Sequence, residues 1–406
     1  MPVYAADGCC KMYLFKQEGK EDAMKKLIAL LLALAAVMVL AACASLGRQS
    51  GADTTGSEPG EVNISQATSS ESGRIVGISM PNDADGRWGV DAENMAGQLQ
   101  ALGCQVVLQY AGDDALLQAS QVEKMILQPV DCLVIAAVDS MALTDTLAQA
   151  KTAGIPVIAY DRQLMNTDAV SYYVAFDSKT VGTAIGDYIV EEKQLQTAQE
   201  ESRSYTIEFF MGSPDDNNAV LLHQGIMMIL QPYLDSGVLV CGSGRTSFED
   251  TCVQSWSKDT AQEDCGNYLA AHYVEEKLDI CCAASDSLAY GCRAALEAVG
   301  YTAQEGWPLI TGQNAELAAV RNILSGYQTM TVYKDTRLLV DQCVSMVRAV
   351  LSGVQAEVND TATCDNGTMI VPAYLYTPAG VDADNYHKIL VDSGRYTEEQ
   401  LTGEGE

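Results

Sequence analysis

The sequence has few basic residues for its length, and this shortage excludes whole classes of partner. It contains 24 Lys and Arg against 54 Asp and Glu in 406 residues, which gives a formal net charge of −30. A surface this acidic repels the phosphate groups of nucleic acids and the headgroups of anionic lipids. We therefore expect no binding to nucleic acid.

The sequence also lacks the patterns that bind metal ions or nucleotides. Its three His form no HExxH and no Cys/His zinc pattern, and there is no GxxxxGK loop. Residues 241–247 lack the third Gly of a dinucleotide-binding loop. If Gly86 were position 6 of an EF-hand loop, Pro81 and Ala92 would occupy the first and last ligand positions. We expect no cofactor, no metal ion and no catalytic residue.

Cysteine, in contrast, is abundant, with 13 residues in the chain. Those that follow Cys43 show no paired spacing. Several of them, including Cys281 and Cys282, lie in apolar strand patterns, where a free thiol behaves as a small apolar side chain. The sequence leaves undecided whether a disulfide such as Cys252–Cys265 forms, because connectivity cannot be deduced from sequence alone.

The longest apolar run is short and lies near the N-terminus. Residues 27–42 follow a pair of lysines and fall below the about 20 apolar residues that a spanning helix needs. The run ends in Leu-Ala-Ala before Cys43, which resembles a bacterial lipobox. We predict that residues 1–42 are a signal region whose true start is Met24, and that lipidated Cys43 anchors the exported chain to the outer face of the cytoplasmic membrane. A plain uncleaved anchor is the alternative interpretation.

Residues 43–73 are rich in Ser, Gly and Thr and contain hardly any large apolar side chains. Such a composition cannot bury enough apolar surface to offset the entropy of ordering the chain. We predict a flexible tether between the lipid anchor and the folded part.

From Arg74 onward, strand patterns alternate with helix patterns, and the series runs twice. In the first half, the helix pattern at 141–154 is followed by a strand at 155–160. In the second half, the helix pattern at 180–193 precedes a strand at 205–212. This alternation predicts an α/β fold of two doubly wound parallel-sheet lobes. Ligands of such sheets bind at the carboxyl ends of the strands, so two facing lobes form a binding cleft.

Polar or aromatic side chains follow nearly every predicted strand. Interleaved carboxylates, amides and cations suit a ligand with many hydroxyls, because each hydroxyl both donates and accepts. Trp88 and Trp256 add flat faces for the C–H groups of a sugar ring. Taken singly, an Asp after a strand also suits a helix cap, and a Trp also suits packing. The candidate ligand-binding residues are Arg87, Trp88, Asp139, Asp161, Arg162, Asn218, Trp256, Ser285, Asp286, Gln313, Asn314 and Lys334.

Longer stretches around these residues form a specific combination. Its main stretches are, in chain order, VIAYDR (157–162), GSPDDNNA (212–219) and TMTVYKDTR (329–337). With them, the chain resembles the xylose-binding and multiple-monosaccharide-binding members of the type I periplasmic-binding-protein superfamily, from about residue 74 to residue 401. Further matching stretches are Gly86-Arg87-Trp88, QVEKMI (121–126), LQPYLDSG (230–237), ITGQNAE (310–316), VNDTATCDNG (358–367) and VPAYLYTP (371–378).

The resemblance implies which residues contact a ligand. Two positions depart from the family pattern, since Asn314 replaces a usual Asp and Ser285 stands where relatives commonly have Asn or Tyr. Both departures put the preferred sugar in doubt and leave the binding role intact. The binding residues of the family fall on Arg87, Trp88, Asp161, Arg162, Asn218, Trp256, Asp286 and Lys334.

The resemblance also implies a three-segment hinge, with chain crossings near residues 176, 313 and 371. The first lobe would then contain 74–176 plus 314–371. The second lobe would contain 177–313 plus 372–406.

These features together predict an exported monomer that captures a free monosaccharide of the xylose, glucose, galactose or arabinose type. Closure about the hinge would exclude water, and the closed form would deliver the sugar to an ABC import permease. One alternative is a sugar sensor whose closed form docks on a chemoreceptor or a sensor kinase. A third interpretation is a carbohydrate-active enzyme, which the sequence disfavours.

The processing hypothesis is tested by Cys43→Ala. Without the thiol that accepts the lipid, we expect the exported chain to lose its anchor or to accumulate as precursor. Detergent phase partition and mass spectrometry of the N-terminus measure both outcomes. A mature chain that stays membrane-bound with Cys43 unmodified would contradict the lipobox.

Overall fold

The computed structural model describes residues 73–82, 87–302 and 306–403. The signal region, Cys43 and the tether as far as residue 72 lie outside these residues. Among the residues described, no helix is both long and apolar enough to cross a membrane.

Strands and helices alternate as predicted: the strand predicted at 155–160 is observed at Val157–Tyr160, and the one predicted at 205–212 is observed at Tyr205–Phe210. The strands are β1 (Ile75–Met80), β2 (Gln105–Tyr110), β3 (Cys132–Ile135), β4 (Val157–Tyr160), β5 (Val170–Phe176), β6 (Tyr205–Phe210), β7 (Leu239–Cys241), β8 (Ile280–Ala283), β9 (Leu309–Ile310), β10 (Met330–Tyr333), β11 (Ala373–Tyr376) and β12 (Ala379–Asp382). The α-helices are α1 (Arg87–Ala101), α2 (Ala115–Ile126), α3 (Thr144–Thr152), α4 (Ser178–Glu192), α5 (Leu195–Glu200), α6 (Asn217–Asp235), α7 (Phe248–Thr251), α8 (Lys258–His272), α9 (Asp286–Ala298), α10 (Leu317–Leu324), α11 (Thr336–Leu351) and α12 (Glu398–Thr402). A 3₁₀ turn covers Gln254–Trp256, and a π-helical turn covers His387–Val391.

The first lobe is built on a sheet with strand order β11-β5-β4-β3-β1-β2, in which every neighbouring pair is parallel. β3 and β4 are buried along their whole length. Such continuous apolar strands are expected where helices cover both faces of a parallel sheet. Helices α1 and α11 pack on one face, and α2 and α3 pack on the other.

The second lobe is built on a parallel sheet with order β7-β6-β8-β9. Its core also contains side chains of α4, α6, α8 and α9. Strand β10 continues this sheet, because the Val332 N–H donates to the Gly312 carbonyl at 3.1 Å and the Asn314 N–H donates to the Val332 carbonyl at 2.8 Å. The same strand pairs antiparallel with β12.

Two of the predicted lobe boundaries, at residues 313 and 371, are wrong. Residues 314–333 belong to the second lobe, since β10 bonds to its sheet and α10 shares a small core with β12 and α12. β11 belongs to the first lobe, because it pairs with β5. The crossings therefore lie near residue 177, between Tyr333 and Thr336, and between Tyr376 and Ala379. Asp177 and Asp335 cap α4 and α11 at the first two crossings.

The ten cysteines within the described residues are all free thiols. The Cys252–Cys265 disulfide that the sequence left open is therefore not formed. Cys265 lies in the core of the second lobe, whereas Cys252 ends helix α7 and is partly exposed.

Helices α4 and α6 approach so closely that only glycine fits between them. A Cβ atom added to Gly182 would lie 2.0 Å from the carbonyl oxygen of Leu222 and 2.9 Å from the Cα of Gly225. A Cβ at Gly225 would lie 2.2 Å from the carbonyl oxygen of Lys179. Backbone atoms cannot move aside as a side chain can, so this contact fixes how the two helices pack.

Gly182→Ala should therefore lower the free energy of unfolding by about 1–3 kcal/mol, because the added methyl overpacks the helix contact. Gly97→Ala is the matched control. It lies on the exposed face of α1 with no atom within 4 Å of the added Cβ, and it should stabilise the protein by about 0.5–1 kcal/mol. Urea unfolding measures both variants, and equal effects would contradict the packing argument.

Candidate ligand-binding cleft

A cavity of about 460 Å³ lies where the carboxyl ends of the strands of both lobes meet. This volume is within the range of small-molecule sites. Both lobes contribute to its wall, and the crossing between β10 and α11 adds Lys334. Ten of the twelve predicted residues line it: Arg87, Trp88, Asp139, Asp161, Arg162, Asn218, Trp256, Gln313, Asn314 and Lys334.

A largely buried ion pair lies at the centre of the first-lobe wall. Arg87 opens α1 and places Nη2 2.6 Å from Oδ1 of Asp161, which directly follows β4. Burial raises the pKa of the Asp161 carboxyl, but the positive charges of Arg87 and Lys334 outweigh it, and the net pKa is lowered. Asp161 is therefore a carboxylate, which can accept hydrogen bonds inside the cavity.

A strained backbone conformation at Asp161 orients this carboxylate. Asp161 has φ 59°, and the Arg162 N–H bonds back to the Tyr160 carbonyl at 2.6 Å, which closes a three-residue turn. Such turns with positive φ are rare and costly for residues other than Gly. The hydroxyl of Tyr173 donates to the Asp161 carbonyl at 2.9 Å and supports the turn. Positive φ also occurs at four other cavity residues: Asp113, Ser255, Trp256 and Asn314.

The ring of Trp88 contacts two guanidinium groups and also lines the cavity. The guanidinium carbon of Arg87 lies 4.5 Å from the centre of its ring, and that of Arg162 lies 5.4 Å away. Cation–π attraction of this kind holds a guanidinium in place without using its N–H donors. Arg162 also donates through Nη1 to the carbonyls of Ala137 and Val138.

Trp256 lies against the backbone of the second lobe. A Cβ added to Gly212 would lie 2.1 Å from Cζ2 of its indole, so the ring rests on a glycine surface. The side chain is only partly buried and lines the cavity. Its placement depends on that glycine and on the left-handed backbone of Ser255 and Trp256.

Direct bonds join the two lobes at one edge of the cavity. The Ser140 N–H donates to the Asp215 carbonyl at 3.0 Å, and Nδ2 of Asn217 donates to Oε1 of Gln163 at 3.0 Å. We call these four residues the lobe latch. The latch brings the N-terminal end of α6 against the first lobe, so the structure is a closed form.

Two charged or polar pairs reinforce this closure inside the cavity. Arg162 Nε lies 3.2 Å from Oδ2 of Asp216, which also caps α6. Asn218 donates through Nδ2 to the Asp161 carbonyl at 2.9 Å. Both pairs connect a first-lobe residue to the start of α6.

Comparison with known proteins agrees with this architecture. Residues 76–355 match the family described as "Periplasmic binding protein domain". The chain belongs to the periplasmic binding protein family. It is 45% identical over 327 residues to the "Multiple sugar-binding periplasmic protein SbpA" of Azospirillum brasilense, an alignment that covers 80% of this chain and 90% of the relative.

Two further relatives are similarly close to this periplasmic binding protein. The "Multiple sugar-binding periplasmic receptor ChvE" of Rhizobium radiobacter is 43% identical over 80% of this chain and 92% of its own length. A solved ABC transporter solute-binding protein from Clostridium phytofermentans, with bound β-D-glucose, is 46% identical with a TM-score of 0.76. That match covers 81% of this chain and the whole of the solved chain.

Ser285 and Asp286 do not line the cavity, in contrast to the sequence prediction. The Ser285 hydroxyl caps α9. Asp286 turns back into the lobe, where its carboxylate accepts from Gln328 Nε2 and the Thr331 hydroxyl, both at 2.8 Å. Burial raises the pKa of this carboxyl to about 7. The next residue, Ser287, faces the cavity instead.

Asp139 has two roles in the periplasmic binding protein. It lines the cavity, and its Oδ1 also accepts from the Met141 N–H at 2.7 Å. This bond closes an Asx turn and does not cap a helix, since α3 begins at Thr144 and its N-cap residue is Leu143.

Several cavity residues escaped the sequence analysis. Asn82 and Asp113 lie in the loops after β1 and β2, and Nδ2 of Asn82 donates to Oδ1 of Asp113 at 2.8 Å. The predicted polar clusters at the ends of these strands did not include them. Asp215 and Asp216 were visible in the GSPDDNNA stretch but were not singled out. The remaining polar cavity residues are Ser178, Ser213, Gln254, Ser255 and Ser287.

Lys334 has an unusual electrostatic environment in this periplasmic binding protein. Burial, together with repulsion from Arg87, lowers its pKa to about 8, while Asp161 and Asp216 counteract part of the shift. Below that pH Lys334 is mostly an ammonium that can donate hydrogen bonds into the cavity, and above it the charge is lost.

Asp161→Asn should lower the pKa of Lys334 further below 8, because it removes the negative charge that raises this pKa most. Asp139→Asn is the control, since Asp139 lines the same cavity without acting on that pKa. The ¹³Cε shift of labelled lysine against pH measures both variants in the sugar-free protein. A pKa that rises in Asp161→Asn would contradict this electrostatic description.

Proposed function

We propose that this chain captures a free monosaccharide in the cleft and delivers it to an ABC import permease. The observation that carries the proposal is the closed cavity, where carboxylates, amides and cations from both lobes converge on one space. The two sugar-binding relatives and the glucose complex reported above support a neutral sugar as the ligand class.

The chemistry of the wall suits a ring with several hydroxyls. Arg87, Arg162 and Lys334 donate, Asp161 and Asp216 accept, and the amides of Gln313 and Asn314 can do both. Charged partners strengthen each bond once water is excluded. Trp256 offers a flat apolar face for the C–H groups of the ring.

Hinge closure supplies the mechanism. The lobes are joined by three chain crossings, and a sugar bound to one lobe gains its remaining contacts when the other lobe closes. Contacts that exist only in the closed form, such as those to Asn218 and Trp256 from a first-lobe-bound sugar, drive the equilibrium toward closure. The permease would then recognise the closed shape.

Attachment to the membrane is also part of the proposal. The lipobox before Cys43 and the tether support an exported lipoprotein that stays close to the permease on the outer face of the cytoplasmic membrane. A lipid-anchored monomer needs no further partner to stay there. The preferred sugar is a xylose-, glucose-, galactose- or arabinose-type monosaccharide.

The sensing alternative has one observation in its favour. A relative that is 43% identical carries the name "receptor", and a closed lobe pair can dock on a chemoreceptor or a sensor kinase as readily as on a permease. Loss of sugar uptake on deletion of the gene favours transport, whereas intact uptake with lost chemotaxis or induction favours sensing. A carbohydrate-active enzyme is not supported, and sugar recovered unchanged after overnight incubation would remove it.

The proposal is tested by isothermal titration calorimetry of the purified chain with a panel of monosaccharides and matched disaccharides. We expect one site per chain and micromolar or tighter binding of at least one monosaccharide. A panel without any binding monosaccharide would overturn the proposed function.

Two variants test the site itself. Asp161→Ala should weaken binding by roughly 2–4 kcal/mol, because it leaves sugar hydroxyls without their charged partner in a dry site. Trp256→Ala should cost roughly 1–3 kcal/mol by removing the stacking face. Asp168→Ala is the control, an Asp that is exposed in its ion pair with Lys151.

Melting curves of the sugar-free variants complete the test. Both cleft variants should keep most of their apo stability, since Arg87 stays partly exposed to cavity water and Asp91 remains close to it. Wild-type sugar affinity combined with a lowered apo melting temperature would assign these residues to packing instead.

A further inference from the structure

Three buried cysteines converge in the core of the second lobe, away from the cleft residues described above. Cys265 lies on α8, Cys281 on β8 and Cys292 on α9. Their sulfur atoms all lie within 4.8 Å of one another, and none of the three residues is exposed. No sequence motif connects them, because the tertiary fold alone brings them together.

Close packing of the two helices holds this arrangement in place. A Cβ added to Gly291 would lie 2.3 Å from the carbonyl oxygen of Lys258, so α8 and α9 touch through their backbones. This approach places Cys292, the neighbour of Gly291, against Cys265, whose Sγ lies 3.9 Å from the Cys292 carbonyl oxygen. Cys281 closes the triangle from the sheet below.

We propose that Cys265, Cys281 and Cys292 form a buried three-thiolate site for a soft cation of low coordination number, and that Cu(I) is the ion that fits it. Nothing in the sugar-binding role requires such a site.

The distances support three sulfur ligands around one ion. Sulfurs bound at about 2.3 Å in one plane around an ion lie about 4 Å apart, so the observed triangle has to contract by less than about 1 Å. Thiolate ligands select soft ions such as Cu(I). Structural zinc sites usually have four protein ligands, and this group contains three.

The surroundings of the cluster point the same way. All three thiols lie in the hydrophobic core of the second lobe, where a thiolate is costly unless a bound cation compensates its charge. The side chain of Glu208, opposite Cys281 in the sheet, already accepts hydrogen bonds from the hydroxyls of Tyr273 and Ser243, so it is not a free fourth ligand.

A bound ion would connect the cluster to the wall of the cleft. Helix α8 begins two residues after Trp256, and α9 begins next to Ser287. Cross-linking α8, β8 and α9 would therefore stiffen the second-lobe wall. Because the site has no exposed residue, the ion would enter while the lobe folds.

The test uses the full chain, unfolded under argon and refolded with one equivalent of Cu(I). After challenge with a Cu(I) chelator, we expect one copper per chain by elemental analysis. Cys265→Ala, Cys281→Ala and Cys292→Ala should each lower the affinity at least tenfold. Cys282→Ala is the matched control, since it is the next residue of β8, is equally buried and lies on the other face of the sheet.

X-ray absorption of the loaded wild-type chain provides a readout that does not depend on the folding of any variant. Three sulfur neighbours at one distance support the site. Two sulfurs, or nitrogen and oxygen neighbours, overturn it. Copper retained equally by all four variants, or lost equally by the control, places the ion elsewhere and also overturns the proposal. Sugar affinity of the metal-free chain tests the proposed function separately.

Discussion

The cleft depends on the ion pair between Arg87 and Asp161. It joins the first turn of α1 to the end of β4, and it is largely removed from water. Burying such a pair is favourable only when geometry and additional hydrogen bonds compensate for the lost hydration. Here Trp88 stacks on the cation, and the hydroxyl of Tyr160 donates to Asp91 at 2.8 Å beside it. The surrounding residues are therefore arranged around one largely desolvated charge pair that faces the cavity.

The hinge contributes a side chain to the cavity wall. Lys334 lies in the short crossing between β10 of the second lobe and Asp335, which caps α11 of the first lobe. Its ammonium faces the same cavity as Asp161, so a ligand that engages both contacts a lobe and a crossing at once. Under the proposed function, binding and the conformation of the hinge would be linked through this single side chain.

Much of the fold could be predicted from the sequence, because long apolar periodicities mark β1 to β6 and most helices. The short strands β11 and β12 could not, since their pairing depends on partners far along the chain, and the lobe boundaries were wrong for that reason. Most of the cleft was predicted from polar residues at strand ends. Asp286 escaped that rule because three hydrogen-bond donors inside the lobe attract its side chain.

Other features carry no local signal at all. The left-handed backbone at Asp161 and Trp256 results from tertiary contacts that outweigh the local preference of these residues. The cysteine cluster brings together Cys265, Cys281 and Cys292 from three different elements, and no sequence motif indicates that they meet.

The lobe latch has a consequence for an empty protein. Its bonds between Ser140 and Asp215 and between Gln163 and Asn217 involve no ligand atom, so they stabilise the closed shape whether or not the cavity is filled. A stronger latch raises the fraction of binding-competent closed molecules and therefore the apparent affinity. The same change also raises the number of vacant molecules that present the shape of a loaded one. The strength of these two polar contacts therefore balances the apparent affinity for a scarce ligand against the fraction of empty molecules that adopt the closed shape.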